Sequence, residues 1–206
     1  MPATILTGEL SKDTSKKVIV HPLVLLSVVD HYHRDAKDTQ KRVVGALLGV
    51  RKGNLIDITN SFALPFEEDL KNPSVWFLDH NYLEEMYRMF RKVNNGEEIV
   101  GIYSSGPKIK ENDLQLTELI GRFSDQPPVF VVIDVRPNVE GLPTSAYEVV
   151  EELQTKGKEI QRVFKHLPSS IDAEEAEGVR LNEHFSPTIL STFVYYTSPC
   201  LLIIWI

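Results

Sequence analysis

Apolar positions in this chain come in short runs between charged turns, and their spacing predicts alternating strands and helices. Lys17-Val18-Ile19-Val20 predicts a short strand, and Pro22 suits the first turn of a helix, where its missing N–H costs nothing. Leu23, Leu25, Leu26, Val28, Val29 and Tyr32 follow on nearly every face, so this helix is expected to be buried on more than one side. A charged loop from Asp35 to Lys41 leads into Arg42–Val50, an apolar run that reads as a central strand. The turn Arg51-Lys52-Gly53-Asn54 joins it to a second strand, Leu55 to Pro65, as a hairpin. Val75–Leu78 is a third β candidate.

The clearest helix runs from about Asn81 to Val93. Tyr82, Leu83, Met86, Met89, Phe90 and Val93 form one stripe about 120° wide, with Glu84, Glu85, Arg88, Arg91 and Lys92 outside it. Glu84 and Arg88 are an i,i+4 pair in the favourable order, and Asn94-Asn95-Gly96 supplies the stop. Ile99–Tyr103 reads as a strand and Glu111–Phe123 as a second amphipathic helix with Leu114, Leu116, Leu119 and Ile120 apolar. Val129–Val135 is the most hydrophobic strand, expected to be covered on both faces. Ala146–Leu153 and Ile160–Leu167 suggest a closing hairpin around Gly157. The mixed order gives an α/β class without internal repeats.

The character changes at Ser169. Ser169 or Ser170 is expected to cap a helix with an acidic first turn at Asp172, Glu174 and Glu175, which then meets Gly178 and Pro187. Residues 185–206 carry no charge, and Cys200–Ile206 is wholly apolar. This end is expected to be disordered, or to stick to apolar surface and promote aggregation, rather than to anchor in a membrane: Ser, Thr and Pro interrupt it and no basic flank follows.

Composition narrows the function. At 206 residues the chain is expected to fold as one domain without metal or disulfide. It is 42% hydrophobic and 25% charged, which rules out wholesale disorder. A net charge of −7 with no basic block argues against nucleic acid. The one cysteine, Cys200, fits a reducing compartment, and the first residues lack the apolar core of a signal peptide.

Taken singly, the reactive residues give no site. His31 and His33 sit about 200° apart on a helix and cannot share a metal. His31 to Arg34 read instead as the solvated, cationic end of the first helix. His80, His166 and His184 are isolated. Ser104-Ser105 reads as turn polarity, Glu67-Glu68-Asp69 as a solvated loop, and Asp113 as a polar residue opening its helix. Gly45, Gly49 and Gly101 do not form a phosphate loop.

Taken together, several stretches resemble the MPN domain. They are His21–Leu26, Arg42–Gly49, Asn60–Asp69, Val75–His80, Gly101–Lys108 and Gly141–Tyr147, and the resemblance runs from about Lys17 to Glu177. It implies an α/β fold with a curved mixed sheet and packed helices. Among MPN proteins, Asn60 through His80 is most similar to the non-catalytic subunit of the proteasome lid. The MPN subunits of translation initiation factor three and the COP9 signalosome are the alternatives.

Active MPN proteins hold zinc with two His and one Asp and use a Glu as general base. The matching positions here are Arg42 for the Glu, Ser104 and Gly106 for the two His, and Asp113 for the Asp. Six residues separate Gly106 from Asp113, a shorter gap than the active pattern has. A guanidinium cannot serve as a base at neutral pH. The resemblance therefore implies a silent domain with no metal and no cofactor, rather than a zinc deubiquitinase. It also implies pairing with the catalytic MPN deubiquitinase through the helix at Asn81–Val93, with Leu83, Met86 and Phe90 as contacts. Further expectations are other lid subunits as partners, no nucleic acid, no membrane, and residence in cytoplasm and nucleus. The expected organisation is a flexible arm over 1–16, the MPN domain over 17–167, the start of a helix over 168–184 and the apolar tail over 185–206.

Overall fold

The computed structural model describes residues 5–6, 16–37, 39, 41–69, 71–72, 74–106, 108–135, 143–153 and 160–172. In chain order the elements are β1 (Ile5–Leu6), β2 (Lys17–Val20), α1 (Pro22–Asp35), β3 (Val44–Lys52), β4 (Leu55–Leu64), β5 (Phe66–Glu68), β6 (Trp76–Leu78) and α2 (His80–Val93). Then come β7 (Glu98–Ser104), α3 (Asn112–Ile120) with a 3-10 turn at Gly121–Phe123, β8 (Val129–Ile133), β9 (Thr144–Leu153), β10 (Ile160–Leu167) and β11 (Ser169–Ile171).

Among the described residues, nine strands form one mixed sheet in the order β1-β10-β9-β8-β7-β3-β4-β2-β11, and β5 and β6 form a separate two-stranded ribbon. Helices cover both faces of the large sheet. On one face Val24, Leu25 and Val28 of α1 meet Val18, Leu47, Ile58, Tyr103 and Val131. On the other, Leu83 of α2 and Leu116 and Ile120 of α3 meet Ala46, Leu48, Phe62, Ile102 and Phe130. A strand covered twice must be apolar on both faces, which is why the central strands are continuous rather than alternating runs.

Two bulges adjust which residues face which layer. The β3–β7 register shifts between Leu47 and Leu48, so Val100 is skipped, and Ile99 and Ile102 lie on the α2 side while Val100 and Tyr103 lie on the α1 side. The β3–β4 register shifts between Leu48 and Gly49. There the strands come so close that a Cβ on Gly49 would stand 2.0 Å from the Asp57 carbonyl oxygen. Gly53, at φ 62°, makes the turn between β3 and β4.

The structure departs from the sequence reading in four places. Ile5–Leu6, expected within a flexible arm, pair in parallel with β10. The Glu67-Glu68-Asp69 segment is not all solvated loop, because Phe66–Glu68 pairs antiparallel with Trp76–Leu78. Ser169 and Ser170 cap no helix: Ser169–Ile171 is a strand pairing in parallel with β2, whose edge takes up their backbone groups. His31 lies in the core rather than at a solvated helix end, at 4% exposure. The expected helix beyond Asp172 and the apolar tail over 185–206 lie outside the described residues.

Candidate functional site

Arg42 stands at the entrance to β3, and its side chain is only 4% exposed. A buried cation must be paired. Its Nη1 donates to Asp113 Oδ1 at 2.6 Å and to Ser104 Oγ at 3.3 Å. Its Nε donates to Glu68 Oε2 at 3.2 Å. The guanidinium carbon also lies 5.4 Å from the Phe66 ring centroid, a cation–π contact. Nη2 is buried without a hydrogen-bond partner among the described residues.

Asp113 is fully buried in the first turn of α3, where the helix N-terminus favours a carboxylate. Its Oδ2 accepts from the Lys110 backbone N–H at 2.7 Å. Burial pushes the Asp113 carboxyl above the ordinary Asp range, while the Arg42 charge and the Lys110 N–H pull it back down. Glu68, 4% exposed, receives Lys110 Nζ as well as Arg42. The cluster thus sets Arg42 and Lys110 against Asp113 and Glu68 and is electrically balanced.

The end of β7 closes the group. The Gly106 N–H donates to Ser104 Oγ at 3.4 Å, and the Val43 N–H donates to Ser105 Oγ at 2.9 Å. A Cβ on Gly106 would lie 3.6 Å from both Arg42 Cδ and Ser104 Oγ. The sequence positions Arg42, Ser104, Gly106 and Asp113, drawn from three segments, therefore meet at one point. Glu68 and Lys110 complete the cluster and were missed by the sequence reading. The sequence reading placed Glu68 in a solvated loop, because a three-rung ribbon is too short to show a period.

The chemistry open to this arrangement is narrow. The guanidinium is always protonated. Both carboxylates are engaged by cations, and the Ser104 hydroxyl faces a guanidinium rather than a base that could take its proton. Among the described residues, no three His, Cys, Asp or Glu side chains cluster closely enough to hold a metal ion.

A second cluster lies on the α1 face. His31 Nδ1 is 2.9 Å from Tyr103 Oη, and its Nε2 is 3.1 Å from Asp35 Oδ2. The carboxylate can only accept, so Nε2 carries the proton and Nδ1 accepts from the phenol. Burial holds the His31 pKa below its ordinary value and pushes that of Tyr103 up, which suits this neutral pairing.

The proposed contact helix, α2, is capped by Asp79, whose carboxylate accepts from the Tyr82 N–H at 3.0 Å. Its stripe splits in two. Leu83 is fully buried beneath the helix, so it is a core residue and not a partner contact. Phe90 is half-buried and stacks on Phe62, with ring centroids 5.2 Å apart. Met86 is half-buried, while Tyr82, Met89 and Val93 are exposed, and these four run up one side of the helix. The stripe read from the sequence merged these two faces, because it was wide enough to hold both.

This is the fold of a JAB/MPN domain. A profile of the JAB1/Mov34/MPN/PAD-1 ubiquitin protease family matches residues 13–126, more than half of the chain, and the protein belongs to that family. Within it, the 26S proteasome regulatory subunit rpn8 of Schizosaccharomyces pombe is 50% identical over 179 residues, covering 87% of this chain and 55% of the relative. The 26S proteasome non-ATPase regulatory subunit 7 of Drosophila melanogaster is 54% identical over 180 residues, covering 86% of this chain and 53% of the relative. The chain thus spans about half the length of these curated relatives. The COP9 signalosome complex subunit 6a of Arabidopsis thaliana matches at 28% over 195 residues, 82% of this chain and 59% of the relative.

Proposed function

We propose that this protein is a non-catalytic scaffold subunit of the 26S proteasome regulatory particle. It pairs with the catalytic MPN deubiquitinase of the lid and serves ubiquitin-dependent degradation in cytoplasm and nucleus. The observation that carries the reading is the buried ion pair between Arg42 and Asp113. On this reading Arg42 stands where active family members carry the general base, and its guanidinium neutralises the carboxylate that zinc would need. Zinc does not fit this donor set. Ser104 and Gly106 supply no imidazole, and Asp113 and Glu68 are already paired with cations. A divalent ion would have to displace a covalently tethered cation.

The partner surface supports the same reading. Tyr82, Met86, Met89 and Val93 give α2 an outward apolar side, with Met able to adapt to a partner's pocket. Identities of 50% and 54% to proteasome subunits, against 28% to the signalosome subunit, favour the proteasome over that alternative. Among the described residues no helix is long and apolar enough to cross a membrane. The test is affinity purification of the tagged chain from cells. The expected co-purifying proteins are proteasome lid subunits, with the catalytic MPN subunit foremost. Recovery of initiation factor or signalosome subunits in their place would overturn the assignment.

A further inference from the structure

We propose that Arg42 is a positioning residue: its guanidinium is the strut that fixes the β5–β6 ribbon, and through it the start of α2, against the body of the domain. Among the described residues the ribbon pairs only with itself and shares no ladder with the nine-stranded sheet. Beyond its one-residue link to β4 through Pro65, side chains therefore set its position. Glu68, the last residue of β5, takes Arg42 Nε and Lys110 Nζ, and Trp76 opposite it donates Nε1 to Gln115 Oε1 of α3 at 3.0 Å. Both polar anchors thus sit on one rung, while Leu78 on the far rung is buried in the core cluster of α2 and α3, with Phe66 packed against it. The rung at the far end, Phe66 opposite Leu78, runs straight into the helix start. There the Asp79 N–H donates to the Pro65 carbonyl at 3.3 Å, and the Asp79 carboxylate caps α2.

The same guanidinium grips Asp113 and Ser104, so it joins β5, β7 and α3 from the entrance of β3. A tethered cation takes here the cross-linking part that a metal ion plays in a metal-centred domain, and the elements it joins lead to the pairing helix rather than to a reacting atom. For its consequence on partner binding the inference rests on the scaffold reading. Its structural content does not.

The experiment is amide hydrogen exchange on the full chain carrying Arg42→Ala, with and without millimolar ethylguanidinium, which restores the deleted atoms without the tether. Exchange at Asp69, Asp79 and Tyr82 is expected to quicken roughly tenfold or more, while the β3–β4 ladder keeps its protection. Ethylguanidinium is expected to restore protection, whereas ethylammonium and zinc chloride at the same concentration are not. Unchanged exchange in the ribbon, uniform loss across the whole sheet, or equal rescue by ethylammonium would overturn the proposal. Should Arg42→Ala not fold, the combination Arg42→Met, Glu68→Gln and Asp113→Asn, which leaves the half-exposed Lys110 as the cluster's remaining charge, takes its place. Loss of ribbon protection in it supports the strut, and retained protection overturns it. No partner is present, so failure here is distinguishable from failure of the pairing assignment.

Discussion

The Arg42 guanidinium meets the Asp113 carboxylate at 2.6 Å, with the two side chains at 4% and 0% exposure. A pair so placed is weak evidence for stability when intact and a large liability when broken, because either partner alone is a buried, uncompensated charge. Arg42→Met is accordingly expected to cost about 3–5 kcal/mol in denaturant unfolding. Adding Asp113→Asn and Glu68→Gln to it should recover much of that loss. An Arg42→Met protein as stable as the parent would show that the pair is not the electrostatic centre described above.

Helix α2 separates folding from pairing within a few residues. Leu83→Ala removes a fully buried side chain and is expected to cost about 2–5 kcal/mol of stability. Met86→Asp is expected to leave the fold standing and to weaken capture of the catalytic MPN subunit, since an interface would have to bury an unpaired carboxylate. A folded Met86→Asp protein that pulls down the partner at full strength would remove α2 as the pairing surface.

The His31 pairing gives a pH dependence whose sign is fixed. Burial lowers the folded-state pKa below the ordinary value of 6.5, so the unfolded chain binds a proton more readily. Stability is therefore fully present above about pH 6.5 and is lost as the pH falls from there toward the lowered folded-state value. Urea midpoints between pH 7.5 and 5 should show this slope, and His31→Gln should flatten it across the same window. An equal slope in both proteins would place the titrating group elsewhere.

At Gly49 the backbone itself is the constraint. A Cβ there meets the Asp57 carbonyl oxygen at 2.0 Å, a contact no rotamer relieves. Gly49→Ala should destabilise by about 1–3 kcal/mol, as overpacked positions do. Thermal unfolding of this variant indistinguishable from that of the parent would mean that the bulge beside Gly49 relaxes freely.

Much of the fold was legible because long apolar runs and a strong helical stripe leave little choice. Val129–Ile133 had to be a doubly covered strand, and the segment beginning near Asn81 had to be a helix. What escaped the sequence was set by distant partners. Ser169–Ile171 carries good capping residues, yet an open edge of β2 claims its backbone. His31 lies among charged neighbours in the sequence, and only Tyr103, far along the chain, explains its burial. The candidate site was half legible. Arg42, Ser104, Gly106 and Asp113 followed from motif positions, whereas Glu68 and Lys110 are recognisable only once the ribbon lies beside α3. Leu83 and Met86 share a stripe on the helical wheel, and only packing tells inward from outward.

On the scaffold reading proposed above, a fixed guanidinium and its carboxylates occupy the place where active family members do zinc chemistry. Incubating the purified full chain with linked ubiquitin, in zinc and in chelator, tests it most directly. The account predicts no cleavage in either condition, and none after Ser104→His and Gly106→His are introduced, because Arg42 still holds Asp113. Cleavage by the parent chain that a chelator abolishes would contradict it.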